Sequence, residues 1–447
     1  MKRIICIFLT ALIGIAACLC VFVGCAQNSK DLKVVLQVND QQDAFFRKFF
    51  KDMETEFGVT IEYKGYTYND YPQMIKAELQ DNPPDIFYVC PSDLKEMVGS
   101  GLLADLSGYL YSDEFAREVD LEKIYSGALD MYRYDGKNVG VTSKDAPVYG
   151  INLGFSYQGL GYNKKLVERK ADKIHAAGVA LPWELGDGKS YTFSEFSQLL
   201  GIVKDTTGGG LNGTDRVMAM NLPTEIMPLV WSFGGDILDG NIVTLNNKSV
   251  RDALGWLTEN YKNGNLEKSA TWGEWSTDQV AFFTEVGSWE VAAYTEQGFD
   301  FDVMPWPSVN GDSNWYGQIG TSAFGVYKNS PNKDIAIKIA ACFLREEVQD
   351  KLVKQGLSLP IYIATAEGAY ITDGETYKPD HRKIFIDVVS GQNGKRAPIE
   401  NTYNSEWYDK FKNSIHAFLD GSEGTIDEYL SKTQSLMQQL LDRYKNK

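Results

Sequence analysis

Residues 58–90, GVTIEYKGYTYNDYPQMIKAELQDNPPDIFYVC, decide the fold. Gly58-Val59-Thr60-Ile61-Glu62-Tyr63 reads as a strand, because β-branched and aromatic residues follow a turn-forming glycine. Asp70 then caps a helix with Pro72 in its first turn, running to Gln80; Asn82-Pro83-Pro84 stops it, and Ile86 to Cys90 form the next strand. Strand, helix and strand in this order are the alternation of an α/β protein with mostly parallel sheets. The alternation extends in both directions. Lys33 to Val38 is a short β-branched run, followed by helical spacing from Ala44 to Phe57. Ser330-Pro331 opens a helix that ends at Gly356, with Ile335, Ile339, Ala340 and Phe343 on one side. Helical patterns recur from Ser249 to Lys262 and from Ser405 to Leu419. Thr425-Ile426-Asp427-Glu428 is a capping box that starts a last helix running towards Arg443. No period of 20 to 50 residues repeats, and Gly208-Gly209-Gly210 is the one low-complexity patch, within a surface loop. The chain is therefore α/β with mostly parallel sheets.

The N-terminus carries a separate message. Lys2 and Arg3 form a short positive region, and Ile4 to Val23 are almost wholly apolar, which is the build of a secretion signal. The junction Phe22-Val23-Gly24-Cys25 resembles the lipobox of bacterial lipoproteins, in which the cysteine is lipidated on sulfur and becomes the new N-terminus. The alternative is an uncleaved anchor, since twenty apolar residues can span a bilayer. Lipidation of Cys25 predicts removal of residues 1–24, a tether over 25–30 and a protein held at the outer face of the cell membrane.

What remains is long enough for two or more cores. Its formal charge is −16 with the signal included, and the signal contributes two positive charges and no acids, so the mature chain is more negative still. That excludes nucleic acid and electrostatic docking on anionic lipid. Outside the signal and Cys25 only Cys90 and Cys342 are left; both lie in apolar runs and read as buried thiols, with a single disulfide as the alternative. His175, His381 and His416 stand alone, without partners at metal-ligand spacing, and no metal or cofactor is expected. Gly154-Phe155-Ser156-Tyr157-Gln158-Gly159 lacks the spacing of a nucleophile elbow, and Gly391-Gln392-Asn393-Gly394-Lys395 is too short for a phosphate loop. Two carboxylates meeting in a cleft as a glycosidase pair stay open, since spacing does not reveal them. The positive signal is aromatic: 9 Trp, 25 Tyr and 22 Phe make 13% of the chain, many beside glycine or polar loop residues. A loop tryptophan offers a flat apolar face to a sugar ring while nearby polar groups bond its hydroxyls.

Several runs then occur in a telling order. Pro84-Asp85-Ile86-Phe87-Tyr88-Val89 is followed by Gly99-Ser100-Gly101-Leu102-Leu103-Ala104-Asp105-Leu106. Gly161-Tyr162-Asn163-Lys164-Lys165-Leu166, Gly234-Gly235-Asp236, Gly287-Ser288-Trp289 and Phe301-Asp302-Val303-Met304-Pro305-Trp306-Pro307 come next. Lys328-Asn329-Ser330-Pro331-Asn332-Lys333 and Trp407-Tyr408, with Gly421 and Thr425 to Glu428, complete the series. Together they resemble the extracellular solute-binding proteins of ABC importers, the family that contains maltose-binding protein. The resemblance implies two α/β lobes joined by a hinge, ligand enclosed between them, and no catalysis. Residues 31–145 and 312–365 would form the first lobe and 146–311 the second, with 366–447 as C-terminal helices packing mainly on the second.

The same resemblance proposes site residues. Trp289 takes the place of the family's pocket tryptophan, and Trp407 that of a sugar-stacking residue, although Trp407 also lines up with Phe411, Ile415 and Phe418 on one helical stripe. Ser92 and Asp93 follow the third strand where polar contacts are expected, and Ser156 and Tyr157 precede the Tyr162-Asn163-Lys164 run. Maltose-binding protein has carboxylates at the places of Ser92 and Ser156, which puts maltodextrin itself in doubt. Glu225 and Trp231 flank the segment leading to Gly234, Trp315 and Tyr316 stand at the return crossing, and Asn39 and Asp40 follow the first strand; Asp85 reads as a structural cap. The function implied is delivery of a carbohydrate, an oligosaccharide by preference, to an ABC permease by a monomeric lipid-anchored protein. The alternatives are a solute sensor for a membrane receptor and a secreted glycan hydrolase.

Overall fold

The computed structural model describes residues 31–204, 209–211, 215–268 and 273–443. The signal, Cys25, the tether and part of the glycine patch lie outside the described residues. Twelve strands follow in chain order: β1 (Asp31–Gln37), β2 (Thr60–Tyr66), β3 (Ile86–Val89), β4 (Ile151–Asn163), β5 (Met218–Asn221), β6 (Leu238–Asp239), β7 (Ile242–Val243), β8 (Leu266–Glu267), β9 (Ala281–Gly287), β10 (Phe301–Met304), β11 (Gly317–Val326) and β12 (Gly394–Lys395).

β1 pairs in parallel with β2 on one side and β3 on the other, so the two strands of 58–90 run parallel but are separated by β1. Helix Asp40–Phe57 covers them. Asn39 caps it by accepting the Gln42 amide at 2.8 Å, and Phe46, Phe49, Phe50 and Met53 are its buried stripe. The helix expected from Asp70 runs over Tyr71–Asp81, but the Asp70 carboxylate accepts from Thr67 Oγ1 at 2.7 Å and does not cap it. The stretch from Ser330 to Gly356, expected as one helix, is two, Lys333–Ala341 and Glu346–Lys354, joined by a 3₁₀ turn. Arg345 breaks it: its backbone is extended, and its guanidinium is held by Glu56 and Glu118.

The long strands β4 and β11 define the molecule. The sheet order is β2-β1-β3-β11-β4-β9-β5-β8, so β4 and β11, antiparallel to each other, run through both halves. Each half's other strands are parallel, β1 to β2 and β3 in one and β5 to β8 and β9 in the other. Two hydrophobic cores result. The first gathers Val34, Phe87, Phe324 and Phe343, the second Phe196, Trp231, Leu254 and Phe411. Along β4, Tyr157 belongs to the first and Leu160, on the opposite face of the strand, to the second; the first also takes Met218 of β5 and Ala281 and Val286 of β9. The pairing of β4 with β11 shifts register between Thr321 and Ala323, close to Tyr157, so the two lobes meet at a bend in both crossing strands.

The C-terminal segment divides between the cores. Tyr370 to Val389 pack into the first, whereas helices Glu406–Leu419 and Ile426–Asp442 pack into the second. Val291, Ala292, Tyr294, Phe299 and Phe301 also join the first core, although sequence placed 146–311 wholly in the second lobe. Cys90 and Cys342 are both free thiols. Among the described residues no helix is long and apolar enough to cross a membrane, and no three His, Cys, Asp or Glu are placed to hold a metal.

Candidate functional site

Strand alternation builds the floor of a cleft. Ser156 lies opposite Gly320, and Gln158 lies opposite both Gln318 and Gly287, with Glu285 two residues earlier on β9. Period two puts Ser156, Gln158, Gln318 and Glu285 on one face of the sheet. Two glycines clear that face. A Cβ at 320 would come within 2.6 Å of Ser156 Oγ, and one at 287 within 2.2 Å of Trp289 Cε2 and Cζ2. The indole is thus seated on Gly287, with 37% of the residue exposed. Its turn, Ser288–Glu290, is held by the Glu290 carboxylate on the Gly287 amide at 3.0 Å and by Ser288 Oγ, which accepts from the Tyr157 amide at 3.0 Å.

Tyr157, expected beside Ser156 in the site, is turned to the other face. It is fully buried, 5.1 Å from the Phe385 ring, because neighbours on a strand point to opposite sides. The tryptophans divide in the same way. Trp407, Trp231 and Trp315 are all buried and offer no free ring face in this conformation. Trp407 follows its helical stripe into the second core and donates Nε1 to Thr402 Oγ1 at 3.1 Å. Trp231 donates to Asp236 at 3.2 Å, and Trp315 packs in the first core. Tyr316 is half-buried with Lys395 Nζ 4.4 Å over its ring, the same ammonium lying 5.9 Å from Trp231.

The first lobe brings Ser92 and Asp93 to the start of helix Pro91–Gly99, directly after β3. The Asp93 carboxylate is reached by solvent yet closely surrounded by protein, as in a crevice, and that enclosure, with Glu96 beside it, pushes its pKa up to about 6. Asp40 is exposed in the first turn after the Asn39 cap, and the next residue, Gln41, donates to Glu296 at 3.1 Å. Asn39 spends its side-chain oxygen on that cap. Asp85 is structural, accepting the Lys33 amide at 2.7 Å and the Ser330 hydroxyl.

On the second lobe Glu225 is buried, accepts from Tyr408 at 2.6 Å and pairs with Lys412. Glu285 takes the Thr224 amide at 3.0 Å; its own burial, then Glu225, pushes its pKa up to about 7. Tyr68 is 76% exposed on the loop after β2 of the first lobe. Glu285 Oε1 and Gln318 Oε1 are buried without hydrogen-bond partners. Gln158, Gln318, Glu285, Tyr68 and Lys395 were not among the expected site residues. Stepping two residues on from Ser156 finds Gln158; Gln318 and Glu285 need the strand pairing.

Comparison with known proteins fits this geometry. The family model described as bacterial extracellular solute-binding protein matches residues 48–378. No curated protein sequence matches the chain. Solved structures do. The ABC substrate-binding protein Lmo0181 from Listeria monocytogenes, in complex with cycloalternan, shares 18% identity over 93% of this chain and 99% of its own, with a TM-score of 0.74. The GacH receptor of Streptomyces glaucescens, solved unliganded and with acarbose, shares 18% identity over 93% and 99% at 0.71. The sugar-binding protein MalE from Xanthomonas citri shares 16% over 93% and 98% at 0.69. At these identities they show the fold, two lobes of α/β structure with a helical C-terminus.

Proposed function

The chain belongs to the bacterial extracellular solute-binding protein family, and from that premise we propose that it captures a carbohydrate, an oligosaccharide, between its lobes and delivers it to an ABC permease. It acts as a monomer, without cofactor and without catalysis, held at the outer face of the cell membrane by lipid on Cys25. The observation that carries this reading is the Trp289 indole seated on Gly287 beside a row of neutral amides and hydroxyls, Ser156, Gln158 and Gln318. An apolar face next to uncharged hydrogen-bonding groups suits a sugar ring, whose C–H face and hydroxyls want those two environments side by side. Covering roughly 40 to 60 Å² of that face at about 25 cal/mol/Å² contributes on the order of 1 to 1.5 kcal/mol. The structural relatives bound to cycloalternan and acarbose support the same class of ligand.

Thermal-shift screening against mono- and oligosaccharides tests it. A ligand at 100 times its dissociation constant stabilises the native state by about 2.7 kcal/mol, and a shift with an oligosaccharide, without release of hydrolysis products, is the expected outcome. A panel that leaves the midpoint unmoved, or a glycan that is cleaved, overturns the reading. Membrane-fraction blotting tests the anchor: Cys25→Ala should leave the protein unprocessed or shed, and a mature-sized, membrane-bound product would refute it.

A further inference from the structure

Beside the crossing strands the structure holds a cavity of about 140 Å³ whose lining includes none of Ser156, Gln158, Gln318 and Trp289. Its position follows from the sheet edge. In the first lobe β4 is flanked by Leu359, which exchanges backbone hydrogen bonds with Phe155 in both directions. In the second it is flanked by β9, which ends at Gly287 opposite Gln158. Between these two neighbours the edge is notched, and the cavity fills the notch, with Ser288 on one side and Ser358 on the other. Both walls are tied to the strand between them. Ser288 Oγ takes the Tyr157 amide, and Ser358 Oγ donates to the Phe155 carbonyl at 3.1 Å. Rotation of one lobe on the other about residues 154–157 therefore changes the width of this cavity.

The lining is built for more than water. Tyr370 and Tyr377, with ring centroids 5.1 Å apart, and Val291 and Ala292 give it apolar walls. Of the two lysines in the lining, Lys378 is engaged by the Gly374 carbonyl at 2.9 Å and by Asp380 at 3.7 Å, whereas Lys354 makes no ion pair or hydrogen bond among the described residues and is the cation offered to a ligand. The one acid of the lining, Glu296, is engaged by Gln41 of the first lobe. We propose that this cavity is a second binding site, for a small ring-sized organic carboxylate, and that its occupancy is coupled to lobe movement. A cavity of roughly this size accommodates one six-membered ring. A ligand that fits the notch at its present width favours this arrangement of the lobes, and linkage then requires ligand and sugar to alter each other's affinity by one factor. The coupling to sugar rests on the function proposed above, whereas binding in the cavity does not.

Benzoate, with benzamide as the uncharged control, is the probe, titrated into the full mature chain by calorimetry. The expected result is saturable binding of benzoate, several-fold weaker binding of benzamide, loss of benzoate binding in Ala292→Phe, and a several-fold loss in Lys354→Gln. Lys354 is exposed, so its variant folds even if the larger side chain in Ala292→Phe is not tolerated. Small-angle scattering should show saturating benzoate holding the lobes at one separation; once a sugar is identified, its affinity should change by a factor of about 5 or more in benzoate. No saturation up to roughly ten millimolar, binding equal to that of benzamide, or binding that survives both substitutions overturns the site. Benzoate binding without effect on lobe separation overturns the coupling. Failure to find any sugar ligand would count against the proposed function and leave the benzoate result standing.

Discussion

At the scale of single residues, Trp289 and Gly287 act as one unit. The indole covers a position where any β-carbon would collide with it. Trp289→Ala should weaken carbohydrate binding by roughly 1 to 3 kcal/mol, about 5- to 150-fold. Stability should fall by much less than the 3 to 5 kcal/mol typical of emptying a buried aromatic site, because the ring is partly exposed. Titration calorimetry and denaturant unfolding on the same variant separate the two roles; unchanged affinity with a large loss of stability would make the tryptophan a packing residue. Glu285 gives a second prediction. Its folded pKa, about 7, lies above the ordinary 4.5, so the folded state holds this proton more tightly than the unfolded one. The stability it contributes is fully present below about pH 4.5 and is lost as pH rises through 7. Glu285→Gln should flatten the fall in the unfolding midpoint across that window. Asp93 acts in the same direction, so some slope should persist; a slope identical to wild type would refute the assignment.

At the scale of elements, the bend in the crossing strands is the part that sequence conceals. The strand, helix and strand at 58–90 and the terminal helices are legible as elements, since periodicity and caps are local properties, whereas the insertion of β1 between the two strands is not. Alternation within β4 is legible too, yet the pair Ser156 and Tyr157 was read as two contacts, and a strand cannot turn both to one face. Trp407 shows the converse: its stripe with Phe411, Ile415 and Phe418 pointed to the core, and the core is where it lies. Pairings such as Gln318 with Gln158 join residues far apart in the chain and leave no local trace. Gly154 marks the bend: its φ is +112°, and a Cβ there would stand 1.7 Å from Ser358 Oγ. Gly154→Ala should destabilise the fold by about 1 to 3 kcal/mol. Adding Ser358→Gly should recover the steric share of that loss and leave the backbone share, as read by urea unfolding. A neutral Gly154→Ala would mean that the bend lies elsewhere.

At the scale of the whole molecule, two cores joined by two strands that bend together make relative rotation of the lobes the softest motion available. The hydrogen bond from Gln41 to Glu296 is among the contacts that such a rotation must adjust. A ligand that touches both lobes binds better when they are near, and it shifts the population towards closure by no more than that difference in affinity. Small-angle scattering with and without a saturating oligosaccharide should therefore show a smaller radius of gyration in the complex. Tyr68, which is exposed on the first lobe, should be needed for that change: Tyr68→Ala should lower affinity several-fold with unfolding unaffected, since the side chain covers little. If saturating sugar leaves the radius unchanged in the wild type, the pocket is rigid, and binding must then come from the floor around Ser156, Gln158 and Trp289 alone.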